Sequence, residues 1–575
     1  MKPVAAAVVL AIGCQLTAGA GQTVERELER DVVLRAMVDE LNRSMTSLGL
    51  ADLERPYFIE YALLDAGHAW VSARLGAVTG RNQGRSRWLR TDVRVGSYEL
   101  DNSNFSGGYG YGGPGRSAGF GADVPIEDDY HAIRQAIWWA TDRDYKQVVE
   151  QLAAKKAFME SKMITDKPDD FSREPPSVYF EERFWQAPEQ PDSLPELDLA
   201  SFEELAIGLS AVFREYPDIR SSGVSAGGYV DHKYLVNSEG TRLRTRQRRL
   251  AISVTATVQA EDGMELSDSF SVYARQWAEL PDSDELMRRC HQMARQLVGL
   301  KDAPILDNYT GPVLFEAEPA AMLFWWQFGS SLGGGQRPVG SATSPDDLCN
   351  KLNKRILPRF LNVIDDPLRE TLAGMPVLGH YLYDDQGVKA EPVEVVRAGR
   401  LKALLMSRNP SKEFQRSNGH GRGLFGPQAA VGCLIVTADP ATDAEGLKRE
   451  LLEACEDEGL EYGLRVASLG SVGGGRSGYS GRHREYWGAA TPLMMYKVYP
   501  DGREELVRGA EIARIDLKAF KRILAAGDTP YVFNAGWGTE GLTVAAPALV
   551  FEELDLAKID RDFDKPPVLP APLAR

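Results

Sequence analysis

The chain has 575 residues, 43% of them hydrophobic and 26% charged, and its formal net charge is -16. That composition belongs to folded protein, and the length exceeds what one hydrophobic core can hold, so two or three domains are expected. The acidic balance argues against a phosphate-binding surface, and no nucleic-acid partner is expected.

The first residues, MKPVAAAVVLAIGCQLTAGAGQ, carry one Lys, an apolar run from Pro3 to Gly13, and then Ala18-Gly19-Ala20. This is the layout of a secretory signal peptide over residues 1–20, too short to persist as a spanning helix, and it predicts export to the periplasm or beyond. The alternative is a lipoprotein signal with Cys14 as the lipidated residue, the one route by which a membrane enters. Cleavage leaves Cys290, Cys349, Cys433 and Cys455, and none of them has zinc-like spacing.

Next comes a helix, Asp31 to Leu48, with Val33, Met37, Leu41 and Met45 on one face. Three runs of strand text follow: YFIEYALLDAG, HAWVSARLGAVTG and RWLRTDVRVGSYEL. The Gly-rich stretch from Phe105 to Ala122 reads as a surface loop, with ligand contact through its tyrosines as the alternative. Asp128 is expected to cap the longest helix, which runs to about Lys162. The Pro- and charge-rich ITDKPDDFSREPPS (Ile164 to Ser177) reads as a linker and first boundary. A helix at Ser201–Glu215, a hairpin turning at Asn237-Ser238-Glu239-Gly240 and a helix at Pro281–Leu300 make up the central region.

From about Ala303 the text is mostly strands, including GPVLFEAE, MPVLGHYLYDD, RLKALLMSR, AAVGCLIVTA and LTVAAPALVFEEL. One helix interrupts them, opened by Thr442 and closed by Gly459, with Cys455 on its apolar face as a buried thiol. The expected fold class is α+β. An N-terminal α/β domain (21–165) and a central region (166–302) precede a β-rich antiparallel domain (303–575), curled or barrel-like because so many strands would otherwise leave long open edges.

The order FEAEPAA (Phe315–Ala321), DDQGVKAEPVEVVRAGRLKALLMSR, SNGHGRG (Ser417–Gly423) and APALVFEEL (Ala546–Leu554) resembles the TldD/PmbA family of metalloprotease-like proteins, here in an exported branch. In the family's active subunit the resemblance implies HExxxH on the helix after FEAEPAA, with two His holding zinc and the Glu as general base. At those positions this chain carries Trp325, Trp326 and Ser330, none of which can do that work. The family's third ligand, a Cys in the final segment, has no counterpart after Cys455.

The resemblance therefore implies a catalytically degenerate subunit, with no cofactor expected where active relatives hold zinc. Its partners would be a second copy or an HExxxH-bearing relative in a dimer, and a peptide ligand. Asn418, Gly419, His420, Gly421 and Arg422 are candidate peptide-binding residues, because Gly-rich turns allow close backbone approach. Two alternatives stay open: an active peptidase with a relocated site, for which His380, His420 and His483 could converge with Asp384 or Asp385, and a cell-envelope scaffold. The Gly-rich Ser471–Gly481 lacks the spacing of a phosphate loop. Two adjacent Trp on one helix cannot both face inward, so one of the pair is expected to reach solvent or a cavity.

Overall fold

The computed structural model describes residues 24–575 except 51–52, 107–121, 183–196, 342–347, 425, 473–490, 513–514, 538–539, 561, 568, 570–571 and 574–575. The expected signal peptide with Cys14, most of Phe105–Ala122, nearly all of Ser471–Gly481 and His483 lie outside the described residues. Among the described residues no helix is long and apolar enough to cross a membrane.

Helix α1 (Val32–Ser47) begins where the Asp31 carboxylate accepts the Leu34 N–H. The two runs that read as separate strands join into one, β1 (Pro56–Arg74), followed by β2 (Ala77–Val95). The chain reverses at Leu75 and Gly76, with φ of 46° and 73°, the pair of positive values that a two-residue hairpin requires. Helix α2 (Tyr130–Ser161) is capped by Asp129, which accepts the Ala132 N–H, rather than by Asp128, whose carboxylate is taken by Arg87. Then come α3 (Leu199–Ala211), β3 (Ile219–Asn237), β4 (Arg242–Gln259), β5 (Glu265–Ala274) and α4 (Ser283–Lys301). The β3–β4 turn is the expected one, with Asn237 Oδ1 accepting the N–H groups of Glu239 and Thr241.

These strands form an eight-stranded sheet whose central order is β5-β4-β3-β1-β2. Side chains alternate across a strand, so Ile59, Tyr61, Leu63, Ala69 and Val71 of β1 face the helices while Ala62, Leu64 and Ala66 face away. The sheet draws strands from both sides of residue 165. Segment 164–177 is no loose tether either: Phe171 and Asp170 are buried, and Lys155 and Arg408 hold it by hydrogen bonds to Asp170 and to the Ser172 carbonyl. Its Pro and charged residues imitate a linker because the partners that bury them are far away in sequence.

The second half contains β6 (Tyr309–Phe315), α5 (Ala317–Leu323), β7 (Leu361–Asp365), β8 (Val393–Arg397), β9 (Cys433–Ala438), α6 (Ala444–Asp457), β10 (Gly463–Leu469), β11 (Pro492–Val498), β12 (Glu504–Val507), β13 (Ile523–Trp537) and β14 (Glu540–Lys558). They supply nine strands of an eleven-stranded sheet, in the order β8-β7-β9-β14-β6-β10-β11-β12 with β13 also paired to β14; the short strands Arg400–Leu401, beside β8, and Ala510–Ile512, beside β14, complete it. Among the described residues its two ends do not meet, so the sheet is open and not a closed barrel. It is mainly antiparallel, but β9 with β14 and β6 with β10 run parallel. Helix α6 is capped by Asp443, which accepts the Gly446 N–H, rather than by Thr442, and Cys455 is buried on it as expected.

MPVLGHYLYDD and RLKALLMSR, read as strands, are mostly irregular. Their backbone groups find partners outside any ladder: Leu378 N–H donates to Asn534 Oδ1, Gly379 N–H to Thr543 Oγ1, and Met406 N–H to Asn418 Oδ1. One face of the second sheet carries Phe315, Val363, Leu434 and Val544 in a core shared with α5. The other carries Leu314 and Val550 against α6, and Ile435 and Ala545 against Val377.

Candidate functional site

Beyond α5 the chain widens over Phe324–Phe328, where the Gly329 N–H donates to the Phe324 carbonyl, and then tightens over Gly329–Ser331. Phe324 and Phe328 turn into the core against Phe520. Trp325 is half-buried and Trp326 is 37% exposed, so one of the pair does reach solvent. The Trp325 ring lies between two others, 5.5 Å from Trp326 and 5.6 Å from Phe533 on β13. Ser330 Oγ donates to the Trp326 carbonyl at 2.8 Å.

This donor set does not fit zinc. Indole offers no free lone pair, the one hydroxyl is a poor ligand and is already engaged, and the facing strand presents Phe533. Among the described residues no three His, Cys, Asp or Glu gather where they could hold a metal.

Strand β13 divides this region from a second one. Tyr531 and Phe533 face α5, where the Tyr531 hydroxyl donates to Glu318 at 3.2 Å. Val532 and Asn534 face the other way, and Asn534 Nδ2 donates to the Pro376 carbonyl at 2.9 Å. The segment so anchored forms one wall of a cleft of about 540 Å³, whose other wall is the helix-free face of the first sheet. The Trp pair does not line it.

The floor of this cleft joins the start of DDQGVKAEPVEVVRAGRLKALLMSR to SNGHGRG. Asp384 accepts the N–H groups of Gln386 (3.0 Å), Val388 (2.9 Å) and Gly421 (2.8 Å). Asp385 accepts from Lys233 Nζ at 3.0 Å and from the Gly423 N–H at 2.9 Å, while Arg90 donates to its carbonyl at 3.1 Å. The two carboxyls are driven apart. Burial pushes Asp384 up to about 7 despite its three backbone donors; burial also works against the Asp385 anion, yet Lys233 and Arg422 outweigh it and hold that group at about 2.

Of the five residues singled out in SNGHGRG, only Arg422 lines the cleft. Asn418 Nδ2 donates to the Leu404 carbonyl, and Gly419, at φ 74°, presses on the backbone of Lys389 and Ala390. His420 is fully buried, with Nδ1 3.0 Å from the Asn418 carbonyl and Nε2 3.3 Å from Asp365, which itself accepts the Cys433 N–H. It braces the turn and does not meet His380, whose Nδ1 lies 3.0 Å from the Pro367 carbonyl on the cleft wall. Sequence reasoning missed Lys233, Tyr179 and Tyr383 in the lining. Lys233 shares its face of the hairpin with Asp231, Leu235, Leu243, Thr245 and Gln247, a mixture that gave no local sign of a site.

Two domain models described as PmbA/TldA metallopeptidase match the chain, the central domain over residues 192–298 and the C-terminal domain over residues 308–558. A protein of Archaeoglobus fulgidus named Metalloprotease is 30% identical over 111 residues, 19% of this chain and 24% of that protein, so the match spans about a quarter of the relative's length. The crystal structure of TldE from Thermococcus kodakarensis superposes with a TM-score of 0.57 at 14% identity, covering 91% of this chain and all 100% of that one. A Thermotoga maritima protein described as a candidate modulator of a DNA gyrase gives 0.54 at 15% identity, covering 87% and 96%. At such identities these structures speak for the fold alone. With the central and C-terminal domains of one family matched in order, and their fold shared along almost the whole chain, the protein belongs to the TldD/PmbA family of metallopeptidase-like proteins.

Proposed function

We propose that this protein is a catalytically degenerate, exported member of its family, which binds peptide or serves as the non-catalytic partner of an HExxxH-bearing relative or of a second copy. The observation that carries this reading is the packed aromatic cluster of Trp326, Trp325 and Phe533, whose two Trp stand where the resemblance puts a zinc ligand and the general base. Indole rings supply contact area and no proton chemistry. Trp326 and Tyr531, 37% and 39% exposed, leave part of this aromatic surface open to a partner or an extended chain. Export follows from the N-terminal pattern, with lipidation at Cys14 as the variant form.

Metal analysis of the purified mature protein, run beside a generic peptidase assay and a pull-down with an HExxxH-bearing relative, tests the proposal. The expected result is no stoichiometric zinc, no shift of melting temperature on adding chelator, no peptidase activity, and recovery of a partner or a dimer. Zinc that stabilises the fold would overturn it in favour of a relocated site, because a metal bound only to the native state must raise stability. An inactive, metal-free monomer that recovers no relative and binds no peptide would favour the scaffold reading.

A further inference from the structure

The cleft between the two sheets lies on the far side of β13 from the Trp pair, and the proposed function does not use it. Its ionic groups are unevenly matched. Asp385 is taken by Lys233 and by the Gly423 N–H, Asp384 is wrapped by three backbone N–H groups, and Glu279 is taken by Arg275. Arg422 is only 8% exposed. Its guanidinium lies 4.1 Å over the Tyr381 ring, and its one hydrogen bond among the described residues is a long one, from Nη2 to the Gly541 carbonyl at 3.4 Å. Among the described residues it makes no direct ion pair. A guanidinium has five N–H donors, so most of the donors on this buried cation are left for whatever enters the cleft. Arg248, on the sheet side of the cleft, donates from Nε to the Arg275 carbonyl and also has no ion pair among the described residues.

Leu235, Leu243, Leu424, Tyr179 and Tyr383 give the lining an apolar and aromatic part, beside the polar Thr245, Gln247 and Gln276 and two further carboxylates, Glu370 and Glu181, the second of which accepts from the Tyr179 hydroxyl and the Arg246 N–H. A volume of about 540 Å³ suits a body of a few amino-acid residues. We infer that this cleft binds a carboxylate carried on an apolar or aromatic body, with Arg422 as the anion-binding residue and the C-terminal end of a peptide as the occupant. A guanidinium fork matches a carboxylate edge to edge, which favours the single charge. The doubly charged phosphate is disfavoured, because Asp385 stands beside the same guanidinium and, among the described residues, no helix N-terminus or phosphate loop adds donors.

The test is a fluorescence-polarisation titration of the full-length mature protein with an N-terminally labelled Gly-Ala-Leu-Phe-Leu, as the free acid and as the C-terminal amide. Decanoate and inorganic phosphate serve as competitors. The free acid should bind about tenfold or more tightly than the amide, and Arg422→Gln should abolish that preference. Because Arg422 is buried, its variant is checked by circular dichroism, and Arg248→Gln provides a second variant that should weaken the free acid by a smaller factor. Should R422Q not fold, the acid-to-amide ratio on the unaltered protein still decides. Decanoate displacing the peptide would support the site with a free organic acid as a second source of the carboxylate, and failure to displace would support the peptide terminus alone. Equal affinity for acid and amide, no binding of either up to millimolar concentration, or displacement by phosphate in preference to decanoate would overturn the inference.

Discussion

Trp325 and Trp326 are neighbours in sequence with different physical roles. Trp325 is wedged between Trp326 and Phe533 and packs on the core beneath α5, so Trp325→Ala should cost about 3 kcal/mol in urea denaturation, the usual cost of emptying a large aromatic site. Trp326, 37% exposed, should cost about 1 kcal/mol when replaced by Ala. Equal losses at the two positions would show that both rings are core. The split was legible in the sequence, because consecutive residues of a helix diverge in direction; the wide turn over Phe324–Phe328 was not, since it depends on which carbonyl the Gly329 N–H finds. Asp385 gives a prediction in pH. Its folded-state pKa, about 2, lies below the ordinary 3.8, so its contribution to stability is present above pH 4 and is lost as pH falls from about 4 toward 2. Lys233→Gln removes a main cause of that depression. The melting-temperature gap between the native protein and K233Q should therefore be widest above pH 4 and should close on acidification; a gap independent of pH would refute the assignment.

At the scale of elements, what could be read from sequence was whatever local chemistry decides. The Asn237–Gly240 turn, the apolar stripe of α2 and the helix closed by Gly459 all follow from residues within a few positions of one another. Segment 164–177 was misread because its meaning is long-range. Lys155 Nζ donates to Asp170 at 2.6 Å and to the Asp101 carbonyl at 3.0 Å, with both side chains fully buried, and Arg408 reaches the Ser172 carbonyl from 236 residues away. Lys155→Met would leave Asp170 buried without its principal cation, at a cost of about 3 to 5 kcal/mol. The same variant should become sensitive to trypsin within 164–177 while the native protein resists. An unchanged melting temperature with no new cleavage would mean that the segment is held by its apolar contacts alone. The cleft escaped the sequence for the same reason: Lys233 and Asp385 are 152 residues apart, and only the folded seam brings them into contact.

Over the whole molecule, the two sheets do not behave as beads on a string. Lys233 and Arg90 of the first sheet both bind Asp385 of the second half, Arg508 pairs with Asp262 at 2.8 Å, and Arg408 pairs with Glu239 at 2.7 Å. The apolar contact is also continuous: Leu493 and Met494 of β11 are buried in the core that lies beneath α3 and α4. A chain of this length ordinarily unfolds in steps, domain by domain. Here separating the halves would expose that shared core and strip several buried cations of their partners, so neither half should survive alone. Scanning calorimetry of the protein should accordingly give one cooperative transition, and the double substitution Leu493→Ala, Met494→Ala should lower that single transition without splitting it. Two resolved transitions in the unaltered protein would show that the halves fold independently. The cleft would then be a surface between separable bodies, and its width would be free to vary with the angle between them; a single transition instead makes it a fixed feature of the fold, with Arg422 held over Tyr381 before any ligand arrives.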